Sequence, residues 1–259
     1  MAIFRLNTQN AAASTDTQSP DPAFTGTIEP AQDGTAESAQ IRVWGGNIAD
    51  DQSPPDGVFE GARAVAISSG WFGEVGPDGV YPNDPRAWMP TGRTAGDEGI
   101  ARLADRAHAA GCELWVRPHA RHTLSDIPSC RTAMNAWAEA GGISPRLLLD
   151  PAALLTGETI IAAEEHLERI FFALASHDRA AAIILSGVER APSDPAAAVP
   201  VPLGEGDVPA DLILKLWRST GADRLPVVLR GDDASFTRQQ ALIADSETAS
   251  GTAAPANLD

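Results

Sequence analysis

Short apolar runs alternate with amphipathic segments between residues 41 and 244, and this alternation restricts the fold more than any other property of the sequence. Six of the apolar runs have the length of β-strands, and several are apolar at consecutive positions, as strands buried on both faces are. They cover residues 41–46, 62–70, 112–119, 146–150, 181–187 and 225–231. The repeated strand–helix–strand spacing predicts an α/β fold built on a parallel sheet.

The amphipathic segments predict five helices. One covers residues 97–110, with Gly111 as its C-terminal stop. Ser125 is expected to cap a helix that ends at Ala140, and Thr156 is expected to open the longest helix of the chain. Two more helices are expected. They cover residues 211–220 and 235–244.

Two connections are unusually long, and both are rich in Pro, Gly and Asp. They cover residues 71–96 and 188–208. Loops of this length inside a compact domain are commonly functional, and the alternative is an insertion without regular structure. The sequence leaves both interpretations open.

The two ends of the chain differ in composition from its middle. Residues 1–40 form a low-complexity head with room for one strand over residues 2–6, and residues 245–259 form a similar tail that we expect to be disordered. The barrel-sized domain between them, residues 41–244, lies near the lower limit of about 200 residues for an eight-stranded (β/α) barrel. The barrel is therefore expected to be incomplete or irregular in its N-terminal half.

The chain is acidic, with 19 Lys and Arg against 35 Asp and Glu and a formal net charge of −16. This balance argues against nucleic acid and anionic membranes as partners. No apolar run approaches the ~20 residues of a membrane span, no signal peptide pattern is present, and two cysteines do not make a disulfide framework. The cytoplasm is the expected compartment. Lys215 is the only lysine, so an anion site would have to use arginine.

Four ordered segments carry a resemblance to a known family. They are ARLADRAHAAGCELWVRPH at 101–119, RLLLDPAALL at 146–155, AIILSG at 182–187, and PLGEGD at 202–207, followed by a helix and LPVVLR at 225–230. In order and spacing, residues 97–231 resemble the xylose-isomerase-like TIM barrels of the sugar phosphate isomerase/epimerase group. The resemblance implies a (β/α) TIM-type barrel and a sugar or sugar phosphate as the small-molecule partner.

The resemblance also implies a divalent metal, held at the C-terminal mouth of the barrel by carboxylates and histidines, that polarises a sugar carbonyl or hydroxyl. Asp150 stands where the fifth strand of the family supplies an aspartate. The other ligand positions hold Arg117, Ala153, Ile184, Gly187 and Arg230. One carboxylate holds a catalytic divalent ion poorly, and two arginines would repel it. The usual metal and any other cofactor are therefore expected to be absent, with Asp150 as the residual candidate ligand.

The candidate ligand-binding residues all follow predicted strands, where a barrel places its binding site. They are Arg117, His119, His122, Asp150 and Arg230. In one interpretation, the arginines form an anion pocket for a phosphate or carboxylate. In the other, they pair with Asp150 and Glu189 and only close the barrel.

His119 and Glu189 are the candidate catalytic acid/base residues. His119 and His122 could also bind a metal with help from Asp126 or Asp150. The first hypothesis for function is thus a degenerate sugar isomerase/epimerase-type barrel that binds a small anionic ligand and lacks the usual metal chemistry. The alternatives are a non-catalytic scaffold or interaction protein, and an active isomerase with a metal site relocated to His119, His122, Asp150 and Glu189.

Overall fold

A computed structural model of the chain describes residues 2–8, 26–30, 41–76, 78–142 and 145–251. The strands in these ranges are β1 (Ile3–Thr8), β2 (Gly26–Pro30), β3 (Ile41–Trp44), β4 (Ala64–Ser68), β5 (Glu113–Arg117), β6 (Arg146–Leu149), β7 (Ala180–Ile184), β8 (Gly187–Arg190), β9 (Ala198–Val201) and β10 (Val227–Arg230). The α-helices are α1 (Pro90–Ala109), α2 (Ile127–Ala140), α3 (Ala163–Ile170), α4 (Ala210–Ser219) and α5 (Asp233–Gly251).

Eight of the strands close into a barrel in the order β1-β10-β7-β6-β5-β4-β3-β2. Seven of them run parallel, and β2 is antiparallel to both of its neighbours, β1 and β3. Between β3 and β4 the chain forms two short 3-10 helices in place of an α-helix. The predicted α/β TIM-type barrel with an irregular N-terminal half is therefore confirmed.

The head of the chain takes part in this closure. Residues 3–6 of β1 pair in parallel register with residues 227–230 of β10, so the strand expected over residues 2–6 is present with slightly later bounds. The sequence analysis missed β2, because its five residues include Gly26 and Pro30 and its apolar pattern is too short to detect. Residues 9–25 and 31–40 of the predicted head lie outside the described residues.

The helices differ from the prediction at their ends. α1 begins at Pro90 and is the longest helix. Asp126, not Ser125, caps α2, because its carboxylate accepts the Ser129 amide while the Ser129 hydroxyl accepts the Asp126 amide. Past Thr156 the chain forms a 3-10 turn, then α3 and then a π-helical turn, so no long helix opens there.

The last helix runs to Gly251 and so extends past residue 244, where the barrel domain was expected to end. The rest of the predicted tail, residues 252–259, lies outside the described residues. No helix in the described ranges combines the length and the apolar character needed to cross a membrane.

Buried side chains form two separate clusters, as alternation along barrel strands requires. Leu114 and Val116 of β5 face the helices, whereas Trp115 between them belongs to the cluster inside the barrel. Both cysteines, Cys112 and Cys130, lie in the outer cluster, and burial raises the pKa of each thiol. This agrees with their expected role as small apolar residues.

Candidate functional site

The strand alternation that fills the barrel with apolar side chains also places a polar layer at its mouth. Inside the barrel lie Trp115, Leu148, Ile184 and Val228. Two positions further toward the carboxyl ends of the same strands stand Arg117, Asp150, Ser186 and Arg230. Because side chains alternate with a period of two, this second set faces the axis of the barrel at the end where barrel proteins bind their ligands.

Asp150 is the fully buried centre of this layer. Its Oδ2 accepts from Nε of Arg117 at 2.9 Å and lies 2.8 Å from Nη2 of Arg117 and 3.7 Å from Nη2 of Arg230. Its Oδ1 accepts from the Ala153 amide at 3.3 Å and from the Ser186 hydroxyl at 3.5 Å. One carboxylate thus positions two guanidinium groups, and both of its oxygens are used in doing so.

The structure therefore brings Arg117, Asp150 and Arg230 together at one mouth. Glu189 lies elsewhere, in β8 opposite Val199 of β9, and the ion pair expected between Glu189 and an arginine is not present among the described residues. Asp126 caps α2 and so does not assist the two histidines.

The two long connections fold over this mouth. The segment between β8 and β9 makes a hairpin, and the segment before α1 lies beside it. Arg121 ties the two together, since its Nη1 donates to the Tyr81 carbonyl at 2.6 Å and its Nη2 to Asp194 at 2.6 Å. The Ser193 hydroxyl also donates to Asp78 across the same gap. The connection 188–208 is consequently a structured cover, and an insertion without regular structure was the wrong alternative.

Beneath this cover lies a cavity of about 220 Å³. Three arginines, a histidine, a tyrosine and a stretch of the hairpin form its wall. The lining residues are Asp78, Gly79, Val80, Tyr81, Arg117, His119, Arg121, Ala197, Ala198, Val199, Pro200 and Arg230. Three of the predicted ligand-binding residues therefore line it directly, and Asp150 supports them from below.

Sequence reasoning did not select Arg121 or Tyr81 as site residues. Arg121 stands four residues beyond β5, and this position after a barrel strand was the available signal. Tyr81 gave no signal, because its loop reaches the mouth only through tertiary contacts.

His119 lines the cavity as a neutral hydrogen-bond donor. Burial, followed by the charges of Arg117, Arg121 and Arg230, holds the pKa of His119 well below its usual range. Its Nδ1 accepts the Arg121 amide N–H at 3.1 Å, which assigns the proton of the neutral ring to Nε2. In this tautomer and charge state, His119 presents an N–H rather than a base.

His122 lies behind the cavity in a cluster of four rings. It stacks on Trp71 with ring centroids 5.3 Å apart and makes an edge contact with Tyr81 at 4.2 Å. Burial, followed by the charges of His119 and Arg117, holds the pKa of His122 well below its usual range. Neither ring nitrogen has a hydrogen-bond partner among the described residues. His122 packs against the wall and is not among the lining residues.

Charged side chains of both signs surround the cavity. Three guanidinium groups, those of Arg117, Arg121 and Arg230, face two carboxylates that pair with them, those of Asp150 and Asp194. The remaining carboxylate of the lining, Asp78, is exposed to solvent, where water screens its charge. The cavity is therefore lined by guanidinium groups on its buried side and by a carboxylate on its exposed side.

These residues do not fit a divalent cation. Asp150 has both oxygens occupied and stands between two arginines, so a cation there would displace ion pairs and meet like charge. Within the described ranges, no group of three or more His, Cys, Asp and Glu side chains could hold a metal ion. No such group among the described residues combines His119, His122, Asp150 and Glu189, the four side chains that the relocated site would need.

The chain matches no family model and no curated protein. It is similar to solved structures, three of which share 12–16% identity with it. One is a xylose isomerase-like TIM barrel protein from Mycobacterium smegmatis in complex with magnesium, with 15% identity and a TM-score of 0.47 over 73% of this chain and 62% of that one. Another is a xylose isomerase domain protein from Planctomyces limnophilus, with 16% identity and a TM-score of 0.40 over 74% and 60%.

A third is mannonate dehydratase from Streptococcus suis serotype 2, with 12% identity and a TM-score of 0.44 over 77% of this chain and 71% of that one. The chain spans less than two thirds of the length of the first two structures. The likeness is one of fold.

Proposed function

We propose that this chain is a sugar isomerase/epimerase-like barrel protein in which an anion site replaces the usual metal centre. The ligand would be a small anion, bound by Arg117, Arg121 and Arg230 together with the Nε2–H of His119. The observation that carries the proposal is the cavity of about 220 Å³ lined by these four side chains. No divalent metal takes part in this function.

The burial of the three arginines that line the cavity supports an anion site. Arg117 is 3% exposed and Arg121 is 7% exposed, and the exposed fraction of the Arg230 side chain is 12%. Removing charges from water is unfavourable unless opposite charge and hydrogen-bond acceptors compensate for it. A bound anion would accept charge-assisted hydrogen bonds from the guanidinium groups that line the cavity.

A second candidate function rests on the Asp150 ion pairs themselves. Asp150 joins Arg117 to Arg230, and this contact could close the mouth without any ligand. The chain would then be a non-catalytic scaffold or interaction protein on a barrel. The two candidates differ in whether the mouth responds to anions.

Thermal unfolding in the presence of anions distinguishes them. Inorganic phosphate, sugar phosphates and short carboxylates would be titrated at constant ionic strength, since a bound ligand raises the melting temperature with a saturable dependence on its concentration. At least one class of anion is expected to stabilise the wild type. Arg230→Gln should weaken that effect at least about tenfold, because a hydrogen bond to a charged group contributes about 1.5–3 kcal/mol.

The matched control is Arg131→Gln, which removes an exposed arginine on α2 and should bind like the wild type. If no anion stabilises the protein beyond the effect of ionic strength, the scaffold function is favoured. Calorimetric titration with Mg²⁺, Mn²⁺ and Zn²⁺ tests the other half of the proposal: we expect no stoichiometric binding, and a tight equimolar complex would contradict it.

A further inference from the structure

We infer that the cover over the mouth opens when the solution becomes acidic, because two histidines buried beneath it then take up protons. The moving parts are residues 78–81 of the loop before α1 and the β8–β9 hairpin, and the histidines are His119 and His122. The cover closes only over neutral rings, so that protonation of either histidine favours the open form. This inference does not depend on whether the cavity binds an anion.

Four aromatic rings pack together beneath the cover. His119 and His122 contact each other with ring centroids 4.7 Å apart, and Tyr81 makes an edge contact with each of them, at 4.6 and 4.2 Å. His122 also stacks on Trp71. His119 is 6% exposed and His122 is 0% exposed, so neither ring reaches bulk water in the closed form. The loop that carries Tyr81 thus rests on two imidazole rings.

This ring cluster is separate from the hydrophobic core of the barrel. Trp71 and Tyr81 are buried, yet neither belongs to the cluster inside the barrel or to the outer cluster. The backbone of Trp71 is fixed, since its N–H donates to Asn47 and its carbonyl accepts from the same side chain. Tyr81 is held by its ring contacts and by Arg121. The segment around Tyr81 can therefore leave the mouth while the barrel stays folded.

Protonation of His119 disrupts the turn that follows β5. Its Nδ1 accepts the Arg121 amide N–H at 3.1 Å, and a protonated Nδ1 would face that N–H with a second donor. The guanidinium group of Arg121 joins the two parts of the cover, through the Tyr81 carbonyl and the Asp194 carboxylate. Loss of the backbone contact consequently displaces the residue that holds the cover together.

The cations around the rings oppose a further positive charge. After burial itself, the charges of Arg117, Arg121 and Arg230 hold the pKa of His119 well below its usual range. Burial, followed by the charges of His119 and Arg117, has the same effect on the pKa of His122. These cations come from β5, from the turn after it and from β10, so an imidazolium in the closed form meets like charge from three elements.

The carboxylates of the mouth do not offset this repulsion. Asp150 of β6 and Asp194 of the hairpin pair with arginines, and Asp78 lies at the exposed side of the cavity. Within the described part of the chain, no carboxylate forms an ion pair with His119 or His122. In the open form both rings reach water, where each takes up a proton near its ordinary pKa of about 6.5.

The test is hydrogen exchange of the full chain between about pH 8 and about pH 5, with each rate divided by the intrinsic rate of that amide at the same pH. Protection at residues 78–81 and at the Arg121 amide should fall below about pH 6.5, by up to about tenfold per pH unit for each histidine. Amides of β6 should remain protected at the pH at which the cover amides exchange freely.

Two substitutions together remove both titrating rings. In His119→Asn the Oδ1 can replace Nδ1 as the acceptor of the Arg121 amide, and His122→Phe keeps a ring against Trp71 and Tyr81. Protection at residues 78–81 should then be independent of pH. If the double variant does not fold, His122→Phe alone should reduce the pH dependence from about a hundredfold to about tenfold per pH unit.

The matched control is His108→Gln, which removes an exposed histidine on α1 and should retain the wild-type pH dependence. Protection at residues 78–81 that does not change down to about pH 5 would show that the faces of Trp71 and Tyr81 hold an imidazolium in the closed form, and the inference would be overturned. Simultaneous loss of protection at residues 78–81 and in β6 would also overturn it, because the histidines would then destabilise the whole barrel and not the cover.

Discussion

At the scale of single residues, Asp150 determines the character of the mouth. Its carboxylate occupies the place where the sequence resemblance implies a metal ligand, yet its contacts are to two arginines, a backbone amide and a hydroxyl. A residue can thus match a family position in sequence and still differ in chemistry, because its neighbours decide what it contacts.

Removing this carboxylate tests how the arginines are held. Asp150→Ala leaves two buried guanidinium groups without it, so the free energy of unfolding should fall by about 3–5 kcal/mol. Ser186→Ala is the matched control, since it removes a 3.5 Å contact to the same carboxylate and should lower stability by less than about 1.5 kcal/mol. Urea denaturation measures both, and equal losses would contradict the central role of Asp150.

The buried histidines make stability depend on pH. The pKa values of His119 and His122 are depressed in the folded state, whereas the unfolded chain binds these protons near pH 6.5. The unfolded state therefore takes up more protons below that pH, and stability is lost as the pH falls. The expected slope approaches about 1.4 kcal/mol per pH unit for each histidine below about pH 6, and it falls towards zero above about pH 8.

His122→Phe should separate the two contributions. The substitution keeps an aromatic ring against Trp71 and Tyr81 and removes two nitrogens that lack hydrogen-bond partners among the described residues. Stability near pH 7.5 should rise by about 1 kcal/mol, and the slope below pH 6.5 should fall by half. The exposed His108, replaced by Gln, is the control and should leave the slope unchanged; an unchanged slope in His122→Phe would refute this assignment.

The residues of the candidate site could be predicted best where they follow the strands of the barrel. Arg117, Asp150 and Arg230 each end or directly follow an apolar run, so their convergence followed from the parallel barrel. The partners of Arg121 could not be predicted. Tyr81 and Asp194 lie in two loops whose approach is set by tertiary contacts and leaves no periodic pattern in the sequence.

At the scale of elements, the two loops over the mouth act as one cover because Arg121 joins them. Asp194→Asn removes the negative charge from this link and leaves an amide oxygen that can still accept from Arg121, whereas the full charged hydrogen bond contributes about 1.5–3 kcal/mol when buried. Because the Asp194 side chain is 36% exposed, we expect a smaller effect, a roughly threefold to tenfold faster hydrogen exchange of backbone amides around residues 78–81 and 190–198.

The control for this prediction is Glu205→Gln, which alters an exposed ion pair with Arg238 and should leave exchange in both loops unchanged. Faster exchange in the hairpin alone, with residues 78–81 unaffected, would show that Arg121 does not couple the two loops.

Strands and helices with long hydrophobic patterns could be predicted from the sequence, whereas short strands could not. All six apolar runs contain strands, and an α-helix is described before four of them, whereas β2 and the β8–β9 hairpin were missed. The missed strands β2, β8 and β9 have only four or five residues each, and β2 and β9 contain Pro30 and Pro200. Their pairing also depends on partners that are distant in the sequence. The segment after Thr156 was misjudged because its apolar stripe continues through 3-10, α and π geometry.

At the scale of the whole molecule, closure of the barrel depends on the first residues of the chain. β1 is the strand that joins β10 to β2, and Leu6 is buried inside the barrel. Deleting residues 1–8 would expose the edges of β10 and β2 and open the apolar interior to water. We expect that this variant no longer unfolds in a single cooperative transition and that it binds a hydrophobic dye. The control is a chain truncated after Gly251, which keeps every described strand and should unfold like the full chain.

The mouth of this barrel is proposed to bind an anion at the place where the sequence resemblance implies a metal. The most direct test is a crystal structure determined with the anion that stabilises the protein most in the thermal screen, at a concentration well above its dissociation constant. We predict that its oxygens lie within about 3 Å of guanidinium nitrogens of Arg117, Arg121 or Arg230. An empty mouth under these conditions, or the anion bound at another surface, would contradict the proposed site.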